Sequence, residues 1–431
     1  MNDFNQRLVR DIAASPTAFH AVDTARRHLE AAGYTALELN RDWQLASGGK
    51  YYLTAGGSTL IAFRLPEGKP TGFTVSASHS DAPCFKIKPS AEGAAAGHYV
   101  RLSTERYGGL LLNTWFDRPL AIAGRVLVEE DGRVVSRLVG PMENAAVIPS
   151  VAPHLNADAN NGFKPNPAVD LQPLWTLSGG EGTLRQRVAE AAGVSESAIL
   201  GHDLYLVNTQ PAAEVGGRGE FLCSPRLDDL ACAFGCLEGF LSADDSNAAA
   251  VYCLFDNEEV GSSTKQGAAS TLFQSVLQRV AASCGCDLAA MLQQSFLVSA
   301  DNAHAIHPNH PELSDALNAP VLNGGIVIKY NANQRYTTDG VSDALFTQLC
   351  QAAEVPVQRY ANRADLPGGS TLGSIATTQV PMRAVDIGLA QLAMHSCYET
   401  MGSTDYACLV RAMESYYSRA LETRGESWQW K

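Results

Sequence analysis

The segment AAAVYCLFDNEE, residues 248–259, joins a strand of the buried type to a cluster of acidic side chains. Its first eight residues are apolar, and the segment ends in Glu258 and Glu259. A short apolar run of this kind is typical of strands that are covered on both faces, as in parallel sheets. The carboxyl ends of such strands are where open α/β sheets form their sites. The segment therefore predicts an α/β fold with a site at this edge of its sheet.

Two further apolar runs also end in residues that bind metals. GFTVSASHSD, residues 72–81, ends with His79 and Asp81, and SFLVSAD, residues 295–301, ends with Asp301. A single Asp after a strand is more often a cap or turn former than a ligand. Because a residue type that binds metals stands at the end of each of three apolar strands, we expect the three strand ends to meet and form a metal site.

Two more candidate ligands lie outside these strands. Asp228 in SPRLDDL stands where a helix is expected to begin, and His395 in QLAMHS follows the strand-like run PMRAVDIG. Imidazole and carboxylate ligands without a thiolate suit zinc, manganese or cobalt. Five such ligands are a natural set for two divalent ions that share one carboxylate. The sequence thus predicts a metallohydrolase with two divalent ions of zinc, manganese or cobalt, and the family resemblance described below favours zinc.

Glu258 and Glu259 offer two different roles at such a centre. If the backbone is extended there, neighbouring side chains point to opposite sides, so one carboxylate can bind a metal while the other faces the substrate. The carboxylate that binds no metal is the natural general base for an attacking water. Two solvated glutamates after a strand would be the simpler interpretation if this segment stood alone.

The order of patterns along the chain predicts two domains. Residues 4–32 have helical periodicity and are followed by strand-like runs, and from about residue 224 helices alternate with apolar strands. Between these parts, strands alternate with segments rich in Gly, Pro and Asn, with one helix expected at about 184–192. We expect a mostly parallel sheet flanked by helices in a catalytic domain of residues 1–91 and 223–431. Residues 92–222 are expected to form an inserted β-rich domain.

Composition restricts the partners. The 431 residues include 32 Lys and Arg and 45 Asp and Glu, a net charge of -13, which disfavours binding to nucleic acid. Charged residues are 18% of the chain, below the roughly 25% of ordinary soluble proteins, which suggests surface buried in subunit contacts. We find no signal-peptide core and no run of about 20 apolar residues, so we expect a cytoplasmic protein that does not enter membranes.

Six segments together resemble the aspartyl aminopeptidase family of zinc peptidases, in order and across nearly the whole chain. They are HSD (79–81), SPRLDDL (224–230), FDNEEVGS (255–262), SADNAHAIHPNH (299–310), IKYNANQRY (328–336) and QLAMHS (391–396). The resemblance implies the two-metal aminopeptidase fold and hydrolysis of the N-terminal residue of peptides with a free amine, with acidic residues preferred. It also implies that the inserted domain is a dimerisation and lid domain in a tetrahedral dodecamer built from dimers.

The resemblance also implies a role for each candidate residue. His79 and Asp301 would hold one metal, Glu259 and His395 would hold the other, and Asp228 would bridge them. Glu258 would be the general base, and Asp81 would orient the imidazole of His79. The family usually has an amide after the bridging Asp, whereas this chain has Asp229, which leaves open which of the two aspartates bridges.

An acidic protein that binds acidic substrates needs a local positive charge. Lys329, near Tyr336 at the end of the GGIVIK run, is the candidate, and the family places a substrate-binding lysine in this motif. We expect His304 to contact the substrate, and the resemblance implies that His154 reaches the site of a neighbouring subunit. The alternatives are a preference for neutral or hydrophobic residues, a related two-metal amide deacylase, and a catalytically silent shell or cargo protein.

Overall fold

Alternating apolar runs form 21 strands and nine α-helices in this computed structural model, which describes all residues from 1 to 431. In chain order the strands are β1 (Thr35–Ala36), β2 (Lys50–Ala55), β3 (Thr59–Arg64), β4 (Phe73–His79), β5 (Cys84–Ala95), β6 (Tyr99–Tyr107), β7 (Pro119–Glu130), β8 (Arg133–Val147), β9 (Leu174–Leu177), β10 (Ile199–Val207), β11 (Ala213–Val215), β12 (Phe221–Ser224), β13 (Ala249–Phe255), β14 (Phe296–Ala300), β15 (Ala303–His304), β16 (Ile326–Tyr330), β17 (Val357–Ala361), β18 (Arg383–Leu392), β19 (Glu399–Gly402), β20 (Leu421–Arg424) and β21 (Ser427–Trp430).

The nine helices lie before or between these strands. They are α1 (Asp3–Ala13), α2 (Ala18–Ala31), α3 (Thr183–Ala192), α4 (Leu227–Ser242), α5 (Leu272–Ser283), α6 (Leu288–Gln293), α7 (Gly340–Ala352), α8 (Leu372–Gln379) and α9 (Asp405–Tyr417). Short 3-10 turns lie at Leu112–Trp115, Glu196–Ala198, Glu258–Val260 and Pro311–Leu313. No helix combines the length and apolar character that crossing a bilayer requires.

The chain divides into two units. The first comprises Met1–Asp81, Ala212–Met394 and Glu399–Lys431, and the second comprises Ala82–Pro211 and His395–Tyr398. The expected boundaries, after residues 91 and 222, differ from these by about ten residues. Strand pairing explains the difference, because β5 pairs with β6 and β10 in the second unit while β11 and β12 join the sheet of the first.

A mixed sheet forms the first unit. Its strand order is β1-β2-β3-β13-β4-β14-β18-β19-β12-β11, with β16 and β17 attached through β18. Strands β13, β4, β14 and β18 are parallel neighbours, whereas β2, β3, β19, β12 and β11 pair antiparallel. The α/β prediction is confirmed, and the parallel pairing is concentrated in the middle of the sheet.

Helices cover both faces of this sheet, so its central strands are buried throughout. Alternate residues of β13 point to opposite faces: Tyr252 belongs to one apolar cluster, with α2, α4, α7 and α9, and Cys253 to the other, with α5, α6 and α8. All seven residues of β4 are buried. Burying a large apolar side chain stabilises the fold by about 1.5–3 kcal/mol. These strands therefore provide a rigid support for whatever lies at their ends.

Two tyrosines at the end of α9 insert their hydroxyls among the central strands. The Tyr416 hydroxyl accepts from the backbone N–H of Val75 at 2.7 Å and donates to the Phe296 carbonyl at 2.6 Å. The Tyr417 hydroxyl contacts Ser76 Oγ at 2.6 Å. Both side chains are fully buried, so α9 is tied to the sheet by hydrogen bonds as well as by apolar packing.

The second unit is built on a closed barrel with the strand order β10-β5-β6-β9-β8-β7. Its apolar core includes Phe85, Ile122 and Leu204 from the strands and Val188 from α3. The helix expected at about 184–192 is α3, and it begins one residue earlier than that. Closing the sheet leaves no long unpaired edge. The prediction that the inserted segment is rich in strands is confirmed by this barrel.

Candidate metal centre

His79 lies at the carboxyl end of β4, beside the ends of β13 and β14, and is 1% exposed. Its Nδ1 is 3.0 Å from the Asp81 carbonyl oxygen and 3.4 Å from Asp81 Oδ1. Its Nε2 is 3.6 Å from Asp228 Oδ1 and 3.9 Å from Asp301 Oδ1. One ring nitrogen is therefore occupied by Asp81, while the other shares a small space with two carboxylates, a geometry that a cation would fill.

The two adjacent aspartates at the start of α4 have different surroundings. Neither has helical backbone angles, and the peptide bond between Asp228 and Asp229 is cis. Asp229 Oδ2 accepts from the backbone N–H of His79 at 3.1 Å, and its Oδ1 is buried without a hydrogen-bond partner. Thus Asp229 is bonded to the end of β4, whereas Asp228 extends an oxygen towards the imidazole.

Glu258 and Glu259 lie in a 3-10 turn that ends at Val260, so the expectation of extended backbone is wrong at this position. Asp81 explains the turn: its Oδ1 accepts from Glu258 N at 3.2 Å, and its Oδ2 accepts from Glu259 N at 3.1 Å. This carboxylate fixes the glutamate pair through the backbone, in addition to its contact with His79.

Burial and mutual repulsion shift the ionisation of these groups. Burial raises the pKa of Glu258 to about 8, against the lowering effect of His79 and with a further increase from Asp301. Burial also raises the pKa of Asp301 and of Asp229. For His79 burial alone would lower the pKa, but Asp229 and the other carboxylates raise it well above its usual value. Acidic groups crowded in this way stay ionised only if positive charge lies nearby.

The residues present fit a divalent metal. One ligand atom from each of His79, Asp228, Asp229 and Asp301 lies within 4.8 Å of the others, and the same holds for His79 with Glu258 and Glu259. The buried, unpartnered Oδ1 of Asp229 also indicates that positive charge belongs here. Nitrogen and carboxylate oxygen donors without sulfur match zinc and also suit manganese or cobalt.

Lys329 is almost completely buried near Asp301. Its Nζ donates to the carbonyl oxygens of Asp301 at 2.6 Å and Asn302 at 3.3 Å, and lies 3.7 Å from Asp301 Oδ2. The same Nζ is 5.1 Å from the ring centroid of Tyr336, which is also buried. These contacts fix the backbone after β14, and the expected substrate contacts of Lys329 and Tyr336 stay predictions.

The three histidines predicted outside the strand ends have separate positions. His304 ends β15 in the first unit, and its exposed ring lies 6.2 Å from the ring of Tyr360. His154 is exposed in the second unit, between β8 and β9. His395 also belongs to the second unit, and its Nδ1 lies 2.7 Å from the Gly109 carbonyl oxygen. Their roles stay predictions.

Comparison with known proteins identifies the family. A family model described as aminopeptidase I zinc metalloprotease (M18) matches residues 12–417. The chain belongs to the M18 family. This M18 chain is 42% identical over 424 residues to the "Probable M18 family aminopeptidase 2" of Pseudomonas aeruginosa (strain LESB58), covering 96% of the chain and 98% of that relative. It is 40% identical to the same-named protein of Clostridium novyi (strain NT), again over 96% and 98%.

Solved structures of relatives share the fold of the M18 chain. The cryo-EM structure of the Ape4 and Nbr1 complex superposes with a TM-score of 0.92 at 35% identity, covering 96% of this chain and 85% of that one. The S. cerevisiae mApe1 dodecamer superposes with a TM-score of 0.85 at 31% identity, covering 96% of both chains. The M18 protein is thus a metal-dependent aminopeptidase of a zinc metalloprotease family, and its predicted resemblance is confirmed.

Sequence reasoning missed three buried polar residues that follow or lie beside the predicted M18 ligands in the chain. Gln391 and Glu399 are buried polar side chains on β18 and β19, and Asn302 directly follows the predicted ligand Asp301. Gln391 in the mostly apolar segment AVDIGLAQL, which also contains Asp386, was a visible signal, because a polar side chain within a buried strand needs a partner. Nothing in the sequence indicated which partner it would have.

Proposed function

We propose that this M18 aminopeptidase removes one residue, preferably Asp or Glu, from the N-terminus of peptides with a free amine. The observation that carries the proposal is the arrangement around His79, whose Nε2 faces Asp228 and Asp301 beside the turn formed by Glu258 and Glu259. A free N-terminus matters because the amine is the group by which an exopeptidase distinguishes the end of a chain from its interior.

The ligand assignment combines this geometry with the sequence motifs. His79 Nε2, Asp228 and Asp301 would hold one ion, since their ligand atoms already converge. Glu259 and His395 would hold the second ion, with Asp228 shared between the two. Asp228 is preferred over Asp229 as the bridging residue because Asp229 Oδ2 is already bonded to the backbone of His79. Metal analysis should find two zinc ions per chain.

The mechanism assigns proton transfer to Glu258. When bound, the two metal ions would polarise the scissile carbonyl and lower the pKa of the attacking water. The Glu258 carboxylate takes a proton from that water and passes it to the leaving amine. Asp81 holds the backbone of Glu258 and contacts His79 Nδ1, so it keeps the base and the ligand in register. The buried strands around these groups limit the access of bulk water.

The acidic preference would come from Lys329, with Tyr336 and His304 as further substrate contacts. Two of the three ammonium hydrogens of Lys329 donate to backbone carbonyls, which leaves one for a substrate carboxylate. Although burial alone would lower the pKa of Lys329, Asp301 raises it above its usual value, so the ammonium stays charged at neutral pH. A fixed positive charge next to the metal ligands would favour an acidic first side chain.

The test is release of the first amino acid from matched peptides that begin with Asp, Glu, Leu or Lys. The enzyme is first stripped with a chelator and then resupplied with zinc, manganese or cobalt. Cleavage that returns with metal and favours Asp and Glu supports the whole proposal. Cleavage that favours Leu would remove Lys329 as the selector, and equal cleavage of N-acetylated peptides would indicate a deacylase.

Assembly and location belong to the same proposal. The mApe1 relative is described as a dodecamer, and we infer a tetrahedral dodecamer of dimers for this chain, with the barrel unit as dimerisation and lid domain. His154, which is exposed on that unit, would complete a neighbouring subunit's site. We place the protein in the cytoplasm. Light scattering tests the assembly, and His154→Ala should lower activity while leaving the zinc content unchanged.

A further inference from the structure

A closed ring of hydrogen bonds surrounds the peptide unit between Leu227 and Asp228. Asn302 Nδ2 donates to the Leu227 carbonyl at 2.7 Å and to Gln391 Oε1 at 2.9 Å. Gln391 Nε2 donates to Glu399 Oε1 at 3.3 Å, and Glu399 Oε2 accepts from Asp228 N at 3.0 Å. The carbonyl and the N–H of one peptide are thus gripped by side chains that are bonded to each other.

The ring is buried and uses specific donors and acceptors. Asn302, Gln391 and Glu399 are 4%, 1% and 2% exposed, so water does not compete for these bonds. Both amide hydrogens of Asn302 are used, and its Oδ1 accepts from Cys232 Sγ at 3.1 Å. The Leu227 carbonyl can only accept, so it fixes which end of the Asn302 amide is Nδ2. With Nδ2 also donating to Gln391 Oε1, the Gln391 amide is left to donate to Glu399.

We propose that Asn302, Gln391 and Glu399 are positioning residues that set the orientation of the Asp228 carboxylate. The inference rests on the proposed role of Asp228 as the bridging ligand and explains how that role is achieved. The backbone at Asp228 is outside the helical region although it opens α4, so helical hydrogen bonds do not fix it. The ring supplies this missing restraint, and Asn302 connects it to the segment that carries Asp301.

The polarity of the ring makes the proposal testable by an exchange of groups. In E399Q the oxygen of the new amide still accepts from Asp228 N, but its NH2 group then faces the NH2 group of Gln391. If the Gln391 amide rotates by 180°, its NH2 group instead faces the NH2 group of Asn302. In Q391E two carboxylates face each other. In the double variant E399Q/Q391E each bond has one donor and one acceptor again. The new amide at position 399 donates to the new carboxylate at position 391, and that carboxylate still accepts from Asn302.

Two measurements report on the ring in the full-length protein. Hydrogen exchange followed by mass spectrometry on the metal-free protein shows whether the backbone at residues 224–232 stays protected. Competition with a chelator shows how tightly zinc is retained. We expect each single variant to exchange faster in this segment and to hold zinc about 10-fold or more weakly, and the double variant to recover most of both. The kcat for peptide cleavage should fall more than KM changes.

Ser295→Ala is the matched control. Ser295 Oγ is also buried and also makes two hydrogen bonds, accepting from Phe73 N and donating to the Met291 carbonyl. These bonds lie at the amino ends of β4 and β14, away from the proposed metal ligands. It should lose stability without a change in zinc retention. If E399Q fails to fold, N302D loosens the same peptide from its carbonyl side, because an acceptor then faces the Leu227 oxygen.

The outcomes are distinct. The proposal is overturned if the single variants retain zinc as S295A does, or if the double variant is as impaired as both single variants combined. Rescue by the double variant in exchange and in zinc retention establishes it. Wild-type activity is read separately: wild-type protein that cleaves no peptide refutes the proposed function, whereas active wild type with unaffected variants refutes only the positioning role.

Discussion

The two ends of the parallel strands in the first unit carry different kinds of polar groups. At the amino ends, neutral groups satisfy each other: Ser295 Oγ accepts from Phe73 N at 2.8 Å and donates to the Met291 carbonyl at 2.7 Å. At the carboxyl ends, buried carboxylates crowd around His79, and an oxygen of Asp229 lacks a hydrogen-bond partner. The same strands therefore have one end where neutral groups pair with each other and one end, the proposed active site, where bound cations would offset the repulsion between carboxylates.

Removing the proposed base should have the largest effect. Glu258→Gln keeps the shape of the side chain but cannot accept the proton, so we expect kcat to fall by about 10²–10⁴-fold, with zinc retained. Kinetics with an Asp-initiated peptide and metal analysis of the same sample measure both. Glu426→Gln, a change at an exposed glutamate, is the control. Normal turnover in E258Q would remove Glu258 from the mechanism.

Metal removal should lower stability, because only the carboxylates at the carboxyl ends of the parallel strands lose a partner. Returning zinc to chelated protein at 100–1,000 times its Kd should raise the free energy of unfolding by about 3–4 kcal/mol for each ion bound. Thermal melting with and without zinc measures the gain. His79→Ala removes a proposed ligand and should reduce the gain markedly. Equal melting of the wild type in both states would show that the crowded carboxylates do not bind the ion.

A change nearer the other end should reduce stability without altering the chemistry. Tyr416→Phe leaves the backbone N–H of Val75 and the carbonyl of Phe296 without this buried partner, which costs about 1–3 kcal/mol for each group. Denaturant unfolding should show this loss, while kcat at a temperature where the protein is folded stays near the wild-type value. Tyr99→Phe, at an exposed tyrosine, should change neither. A large fall in kcat would show that the amino ends of the strands also affect the chemistry at their carboxyl ends.

The smallest effect is expected at a charge cluster that is already paired. In the barrel, Asp203 contacts Lys86 Nζ at 3.0 Å and Arg125 Nε at 2.9 Å. Although burial raises the pKa of Asp203, these two partners lower it below its usual value. Its stabilising contribution is therefore present above the unfolded-state pKa of about 3.9 and is lost as the pH falls through the folded-state value.

Asp203→Asn should accordingly lower the free energy of unfolding by about 1 kcal/mol at pH 7, since the pair is partly exposed. The difference from the wild type should shrink as the pH falls below about 4. Denaturant unfolding at pH 7 and pH 3 provides the comparison. A difference of the same size at both pH values would show that Asp203 acts through packing rather than charge.

Much of the fold and of the centre was predictable because both depend on local patterns. Short apolar runs located β4, β13 and β14, and the polar residue after each run located His79 and Asp301. What the sequence could not give depends on distant contacts. The 3-10 turn at Glu258 follows from two hydrogen bonds to Asp81. Asp81 lies 177 residues before Glu258 in the sequence. The domain boundaries likewise depended on which strands β5 and β12 would pair with.

The interleaved order of the strands also has a consequence for synthesis. Strand β4 is complete at residue 79, but its neighbours are β13 and β14, which end at residues 255 and 300. At 5–20 residues per second, a ribosome needs roughly 10–45 s to extend the chain from the end of β4 to the ends of these two strands. The barrel strands between them are complete at residue 207, so this insertion can close while the apolar β4 still waits for both partners. During that interval the nascent chain exposes the apolar strand that ends in the proposed metal ligand His79, and transiently exposed apolar surface of this kind is what chaperones protect.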